Sequence, residues 1–144
     1  MSIRLIDQTE IKIRFGEVDS MGIVWHGNYV KYIEEGRESF GNHFGISYLE
    51  IYSNKLMAPV VNMNIDYKKQ VNYGDTLLVE TEYIDSESAK IIFHYRLFRK
   101  SDSELVATAQ TTQVFITLDR EMLFYPPTFA LEWKARMGLT KSTN

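Results

Sequence analysis

The chain has 144 residues, 44% of them hydrophobic, with no cysteine and 16 basic against 19 acidic groups. Its length predicts one domain, 1–144, with a core large enough to fold without staples. Zero cysteine excludes disulfides, thiolate metal sites and a thiol nucleophile, and the formal net charge of −3 argues against a partner made of duplex nucleic acid.

From the N-terminus, Met1–Asp7 lacks the unbroken apolar core of a signal peptide, and no run approaches the roughly 20 apolar residues that would insert in a membrane. A soluble cytoplasmic protein is therefore expected. A first strand is predicted at Thr9–Phe15, with Ile11, Ile13 and Phe15 on one face. One long helix is predicted at Tyr29–Phe44, because Tyr29, Ile33, Gly36, Phe40 and Phe44 fall on a single helical face. Asn28 is placed to cap its start and Gly45 to end it in a left-handed conformation. Gly36 in the middle of the stripe points to an unusually close approach of helix to sheet.

Beyond the helix the period changes to two. Val61, Met63, Ile65 and Tyr67 alternate with Asn62, Asn64 and Asp66, which reads as a half-buried strand. Strands at Thr76–Ile84, Lys90–Arg99 and Glu104–Thr117 follow, separated by turns at Asn72–Asp75, Asp85–Ser88 and Lys100–Ser103. Short polar connections between neighbours imply an antiparallel meander. A short amphipathic segment carries Phe129, Trp133 and Met137, and the last four residues are expected to fray. The fold class is α+β, a single five- to six-stranded antiparallel sheet around one long helix. Such a sheet leaves a face and its edges uncovered, which predicts self-association.

Six of the eight glycines lie between Gly16 and Gly45. No dinucleotide fingerprint, phosphate loop or H-E-x-x-H zinc signature is present. His26, His43 and His94 fall at a helix start, a helix end and a strand, without metal-ligand spacing. The informative segment is Phe15–Tyr29, which leaves a strand, carries Gly16, Gly22 and Gly27, and enters the helix. It holds Glu17, Asp19 and His26 beside a helix N-terminus, whose unpaired N–H groups can polarise a carbonyl. A carboxylate there can attack that carbonyl or activate water, and an imidazole can share the proton work. The alternative readings are that Asp19 does no more than satisfy loop amides and His26 no more than pack near Asn28. The residues themselves lead as far as a possible acyl-transfer site.

The stretch Asp19-Ser-Met-Gly-Ile-Val-Trp-His-Gly-Asn-Tyr-Val30, continuing to Tyr32, Glu35 and Arg37, closely resembles the signature of the 4-hydroxybenzoyl-CoA thioesterase family. Ile65-Asp-Tyr67, Tyr73-Gly-Asp75 and the closing strand to Asp119-Arg120 extend the likeness over nearly the whole chain. It is most like the bacterial short-chain acyl-CoA thioesterase branch associated with the Tol–Pal system. The resemblance implies the hotdog fold and hydrolysis of an acyl-CoA thioester, with no cofactor or metal. It carries the catalytic carboxylate to Asp19 and a supporting role to His26. Gly27, Asn28 and Tyr29 at the helix start would bind the substrate carbonyl, and Lys68 or Lys69 the coenzyme phosphates. It also implies a homodimer or homotetramer with sites at the subunit interface. Two positions depart from the family pattern: Phe15 where Tyr is frequent, and Gln70 where Pro is frequent. The rival readings are a hotdog hydratase or dehydratase, and a non-catalytic acyl-CoA binder with a purely structural Asp19.

Overall fold

The computed structural model describes residues 3–139. In chain order the elements are β1 (Leu5–Lys12), α1 (Tyr29–Phe44), α2 (Tyr48–Ser53), β2 (Leu56–Met57), β3 (Val60–Tyr67), β4 (Thr76–Ile84), β5 (Lys90–Arg99), β6 (Glu104–Val114), β7 (Ile116–Thr117) and α3 (Thr128–Arg136). Five strands make one antiparallel sheet in the order β1-β4-β5-β6-β3, and β2 pairs separately with β7.

The sheet follows from strict alternation. In β4, Leu77, Val79, Thr81 and Tyr83 are buried, and in β5 Ile91, Phe93, Tyr95 and Leu97 are buried beside them. The register sets Val79 opposite Leu97 and Thr81 opposite Tyr95, so these side chains form one apolar floor. The other face is mixed, and on it Glu80, Glu82 and Arg96 are joined by ion pairs. Helix α1 lies on the apolar floor. Its buried face is Tyr29, Ile33, Gly36 and Phe40, widened by Tyr32, and the Phe40 ring centroid is 4.9 Å from that of Phe93. A Cβ at Gly36 would lie 2.7 Å from both Val79 Cγ1 and Thr81 Oγ1, so the close approach predicted at this position is present. The helix ends at Gly45, whose φ of 78° is the left-handed conformation expected there.

Four expectations are corrected. The first strand starts earlier, at Leu5, and ends at Lys12. Phe15 then falls in a 3-10 turn, Phe15–Glu17, and is 77% exposed instead of sharing the face of Ile11 and Ile13. The last strand breaks at Phe115, which turns into the core, and β7 leaves the main sheet for β2. Asn28 gives no side-chain cap, because a 3-10 turn at His26–Asn28 runs directly into α1 and holds Asn28 in a helical conformation. Helix α2 adds to the expected elements; Ser47 and Glu50 form a capping box at its start, a spacing legible in the sequence.

Strand β3 is the exposed edge of the sheet. Met63 and Ile65 are half-buried, but Val61 is 58% and Tyr67 50% exposed, because α1 packs chiefly on β1, β4 and β5 and meets β3 near Tyr67. At the opposite end of the molecule α3 closes the core. Trp133 is buried, and its Nε1 donates to the Phe44 carbonyl over 2.7 Å. The final residues expected to fray lie outside the described ones. No helix among the described residues is long and apolar enough to cross a membrane.

Candidate active site

The segment between β1 and α1 is a tethered loop. Val24 N donates to Val71 O over 2.8 Å, and Tyr73 N to Gly22 O over 2.9 Å, stitching it to the Asn72–Asp75 turn. In that turn Gly74 takes φ 94°, as expected, and Asp75 Oδ2 accepts from Asn72 N. Arg99 fastens the turn from beneath, donating to the Gln70 carbonyl over 2.6 Å and standing 3.7 Å from Asp75. Gln70 thus takes part through its backbone.

Glu17 is the hub of the loop, a role the sequence reading did not foresee. Its carbonyl accepts from Trp25 N over 3.1 Å and from Asn28 Nδ2 over 2.7 Å. Its carboxylate accepts from Arg14 N over 2.9 Å and from the Tyr32 hydroxyl over 3.1 Å. Tyr32 is fully buried on α1, and burial, then the charge of Glu17, pushes its phenol far up. Burial also raises the Tyr29 phenol. Both therefore remain protonated across the physiological range, Tyr32 as a donor and neither as a base. Asn28 is buried and ties the loop to the start of α1 through Glu17.

Asp19 sits at the tip of this frame, exposed to solvent. One carboxylate oxygen, Oδ1, accepts from Met21 N at 2.8 Å and Ile23 N at 3.2 Å, inside a turn closed by Gly22 at φ 77°. The loop-amide role is thus present, and it occupies a single oxygen. Among the described residues nothing donates to Oδ2. The two backbone bonds orient the carboxylate and leave one atom for chemistry.

Seven residues on, the backbone offers donors. Asn28 N donates to Trp25 O over 2.9 Å and Tyr29 N to His26 O. The Asn28 and Tyr29 amides expected to bind a carbonyl oxygen are therefore already used. At this helix start, among the described residues, the amides of His26 and Gly27, one 3-10 turn earlier, have no hydrogen-bond partner. Gly27 lacks a side chain for a visible reason: a Cβ would lie 2.2 Å from Trp25 Cζ3, whose indole covers it while remaining 56% exposed. The His26 carbonyl also accepts from the Tyr67 hydroxyl over 3.1 Å, which ties the end of β3 to the helix start. The buried Tyr29 ring packs edge-on against Tyr67, centroids 4.9 Å apart. The His26 imidazole is exposed and tilted against Trp25. No hydrogen bond joins it to Asp19 among the described residues.

The structure thus brings Asp19, His26, Gly27, Asn28 and Tyr29 onto one loop and helix start. Lys68 stands just past β3, exposed, with its amide on the Val106 carbonyl and no ion pair among the described residues. Neighbouring Lys69 faces Glu104 at 3.9 Å. No group of three or more His, Asp or Glu side chains converges to hold a metal ion among the described residues.

This sheet wrapped on one helix, with a carboxylate loop leading into the helix, is the hotdog architecture of thioester hydrolases. Residues 13–134 match the family model of the thioesterase-like superfamily, and the chain belongs to that superfamily. It is 34% identical, over 81% of its length and 82% of the relative's, to YneP of Bacillus subtilis, assigned as an acyl-CoA thioesterase. Among solved structures it resembles the DHNA-CoA thioesterase of Staphylococcus aureus, with TM-score 0.76 and 28% identity over 83% of this chain and 80% of that one. The 4-hydroxybenzoyl-CoA thioesterase of Pseudomonas sp. strain CBS-3 shares the fold, with TM-score 0.77 and 21% identity over 89% and 98% of the two chains.

Proposed function

We propose that the chain hydrolyses an acyl-CoA thioester to the free acid and CoA, using Asp19 and the backbone around His26. The observation that supports this is one carboxylate oxygen left free on a carboxylate held by two amides, on the same short loop as two unpaired N–H donors. The thioester oxygen is received by the His26 and Gly27 amides, which stabilise the negative charge that develops on it. Asp19 Oδ2 adds to the carbonyl carbon, or removes a proton from a water that does. The C–S bond then breaks and the thiolate takes a proton; on the water route the acid is formed directly, and on the covalent route water hydrolyses the Asp19–acyl anhydride, releasing the acid and restoring the carboxylate. His26 lies beside the donors and helps to position the carbonyl, the feature that sides with the short-chain, Tol–Pal-associated branch. A CoA substrate accords with the cytoplasm.

Two copies joined through β3 form the working unit in this reading. An uncovered edge strand with Val61 and Tyr67 half out in solvent is a template for pairing with a second sheet. Lys68, past the end of that strand, meets the coenzyme phosphates. Pairing of two such dimers would make the tetramer.

Thiol release from a panel of acyl-CoAs, with wild type and Asp19→Asn in parallel, tests the chemistry. Asparagine keeps an oxygen to accept from Met21 and Ile23, so the loop survives while the carboxylate is lost. A fall in kcat of about 10²–10⁴-fold is expected. Thiol release near the wild-type rate in Asp19→Asn would reject the assignment, and hydration of an enoyl-CoA without thiol release would establish the lyase instead. Sedimentation should give at least twice the 16.8 kDa of one chain. A monomer at micromolar concentration refutes the paired unit.

A further inference from the structure

The two free amides beside Asp19 belong to consecutive peptide groups, Trp25–His26 and His26–Gly27. A trans peptide presents its N–H on one side and its carbonyl on the other, and here both carbonyls are occupied. The Trp25 carbonyl accepts from Asn28 N over 2.9 Å. The His26 carbonyl accepts twice, from Tyr29 N inside the 3-10 turn and from the Tyr67 hydroxyl over 3.1 Å. The two backbone bonds already close the turn. The Tyr67 bond is additional to them, fills the second lone pair of the His26 oxygen, and comes from β3, 41 positions along the chain.

The phenol is held for this contact. Its ring meets the buried Tyr29 ring edge-on at 4.9 Å, and the His26 imidazole at 6.1 Å with an interplanar angle of 82°. Two edge-on neighbours fix the ring plane and aim the hydroxyl at one atom. Tyr67 is half exposed and lies outside the buried core, so its packing does little for the fold.

From this we infer that Tyr67 is a positioning residue for the reaction: its hydroxyl holds and polarises the His26–Gly27 peptide and so strengthens the Gly27 N–H as an oxyanion donor. The inference rests on the reading that this N–H receives the thioester oxygen. An amide is a conjugated unit. A donor held against its oxygen draws electron density from its nitrogen and makes the N–H a better donor in turn. The same bond restrains rotation of the peptide plane, so the N–H keeps its aim as charge develops. A ground-state thioester carbonyl carries little charge and gains little from the stronger donor, whereas the oxyanion gains more. The effect therefore belongs in kcat and not in KM. No proton moves along the chain of bonds; Tyr67 keeps its own throughout.

Loss of a complete oxyanion donor costs about 10²–10³-fold in kcat, and a neighbouring bond strengthens a hydrogen bond by about 10–30%. Scaling the exponent by that fraction gives a fall of about 2–8-fold for loss of the Tyr67 hydroxyl.

Tyr67→Phe removes the hydroxyl and keeps the ring. With an acyl-CoA that wild type hydrolyses, it should lower kcat by about 2–8-fold at unchanged KM. In a proton–nitrogen correlation spectrum of the substrate-free protein the Gly27 amide resonance should move, while those of Met21 and Ile23, which hold Asp19, stay in place. Fluorotyrosine in place of Tyr67, a stronger donor of the same shape, should keep kcat at or above the wild-type value. An unchanged kcat in Tyr67→Phe, a rise in KM alone, an unmoved Gly27 resonance, or a fluorotyrosine protein as slow as Tyr67→Phe would each overturn the inference. Those results leave the thioesterase reading in place, whereas no thiol release by wild type from any acyl-CoA overturns both.

Discussion

Replacing Gly36 by alanine sets two known effects against each other. Alanine in a helix interior is favoured over glycine by about 1 kcal/mol, so propensity predicts a more stable protein. The added methyl carbon would sit 2.7 Å from Val79 Cγ1 and equally close to Thr81 Oγ1, where ordinary carbon contacts fall near 3.5–4.0 Å. Both neighbours are fully buried on the inner strand β4, so neither side chain can swing away. The helix must lift by most of an ångström, loosening Tyr29, Ile33 and Phe40 on the same face. Overpacking of this kind costs about 1–3 kcal/mol. Thr81 Oγ1 is buried without a partner, so the methyl meets an orphaned hydroxyl and relieves nothing. Packing wins, with a net loss of up to about 2 kcal/mol and a fall in Tm of up to roughly 8 °C. Urea unfolding should show a lower midpoint at unchanged slope. Combining Gly36→Ala with Val79→Ala should cost less than the sum of the two, because the methyl then occupies part of the vacated space. A raised midpoint for Gly36→Ala would refute the argument and show that helix and sheet are not in tight contact.

Two further outcomes follow from the geometry. Asn28→Ala removes the bond from Nδ2 to the Glu17 carbonyl; it should lower stability by about 1–2 kcal/mol and kcat by a larger factor than KM, as steady-state kinetics beside urea unfolding can show. Glu82 is held below the usual carboxylate range, first by its hydrogen bond from Arg4. A depressed folded-state pKa contributes stability above the unfolded value, lost as pH falls through the folded one. Between pH 6 and 3 the urea midpoint of wild type should therefore fall more steeply than that of Glu82→Gln, and parallel curves would show that the ion pair carries no linkage.

Much of the fold was legible because its signals are local. The stripe from Tyr29 to Phe44 marked α1 to the residue, and alternation in Thr76–Ile84 and Lys90–Arg99 marked β4 and β5 equally well. Errors fell where tertiary contacts override pattern. The run Glu104–Thr117 reads as one strand, yet Phe115 is drawn into the core and Ile116 pairs with Met57. Val61–Tyr67 alternates like a half-buried strand, but in one chain α1 packs chiefly on other strands. Within the site, Asp19 and His26 were visible as residue types beside a predicted helix start. Glu17 was named only as a neighbour, since its importance lies in bonds to Trp25, Asn28 and Tyr32, eight to fifteen residues away.

The amino-acid sequence by itself determined the alternation of elements, the absence of thiol chemistry, and the placing of a carboxylate, an imidazole and glycines ahead of one helix. These are properties of neighbours along the chain, carried by period, spacing and backbone freedom. Tertiary structure alone decided which amides are free. The 3-10 turn at His26–Asn28 consumes the donors of Asn28 and Tyr29 and leaves those of His26 and Gly27. It also decided that one oxygen of Asp19 is committed to the loop, and that Tyr67, 41 positions from His26, donates to its carbonyl. Hydrogen-bond satisfaction and burial depend on which groups meet across the fold, and no local pattern encodes that.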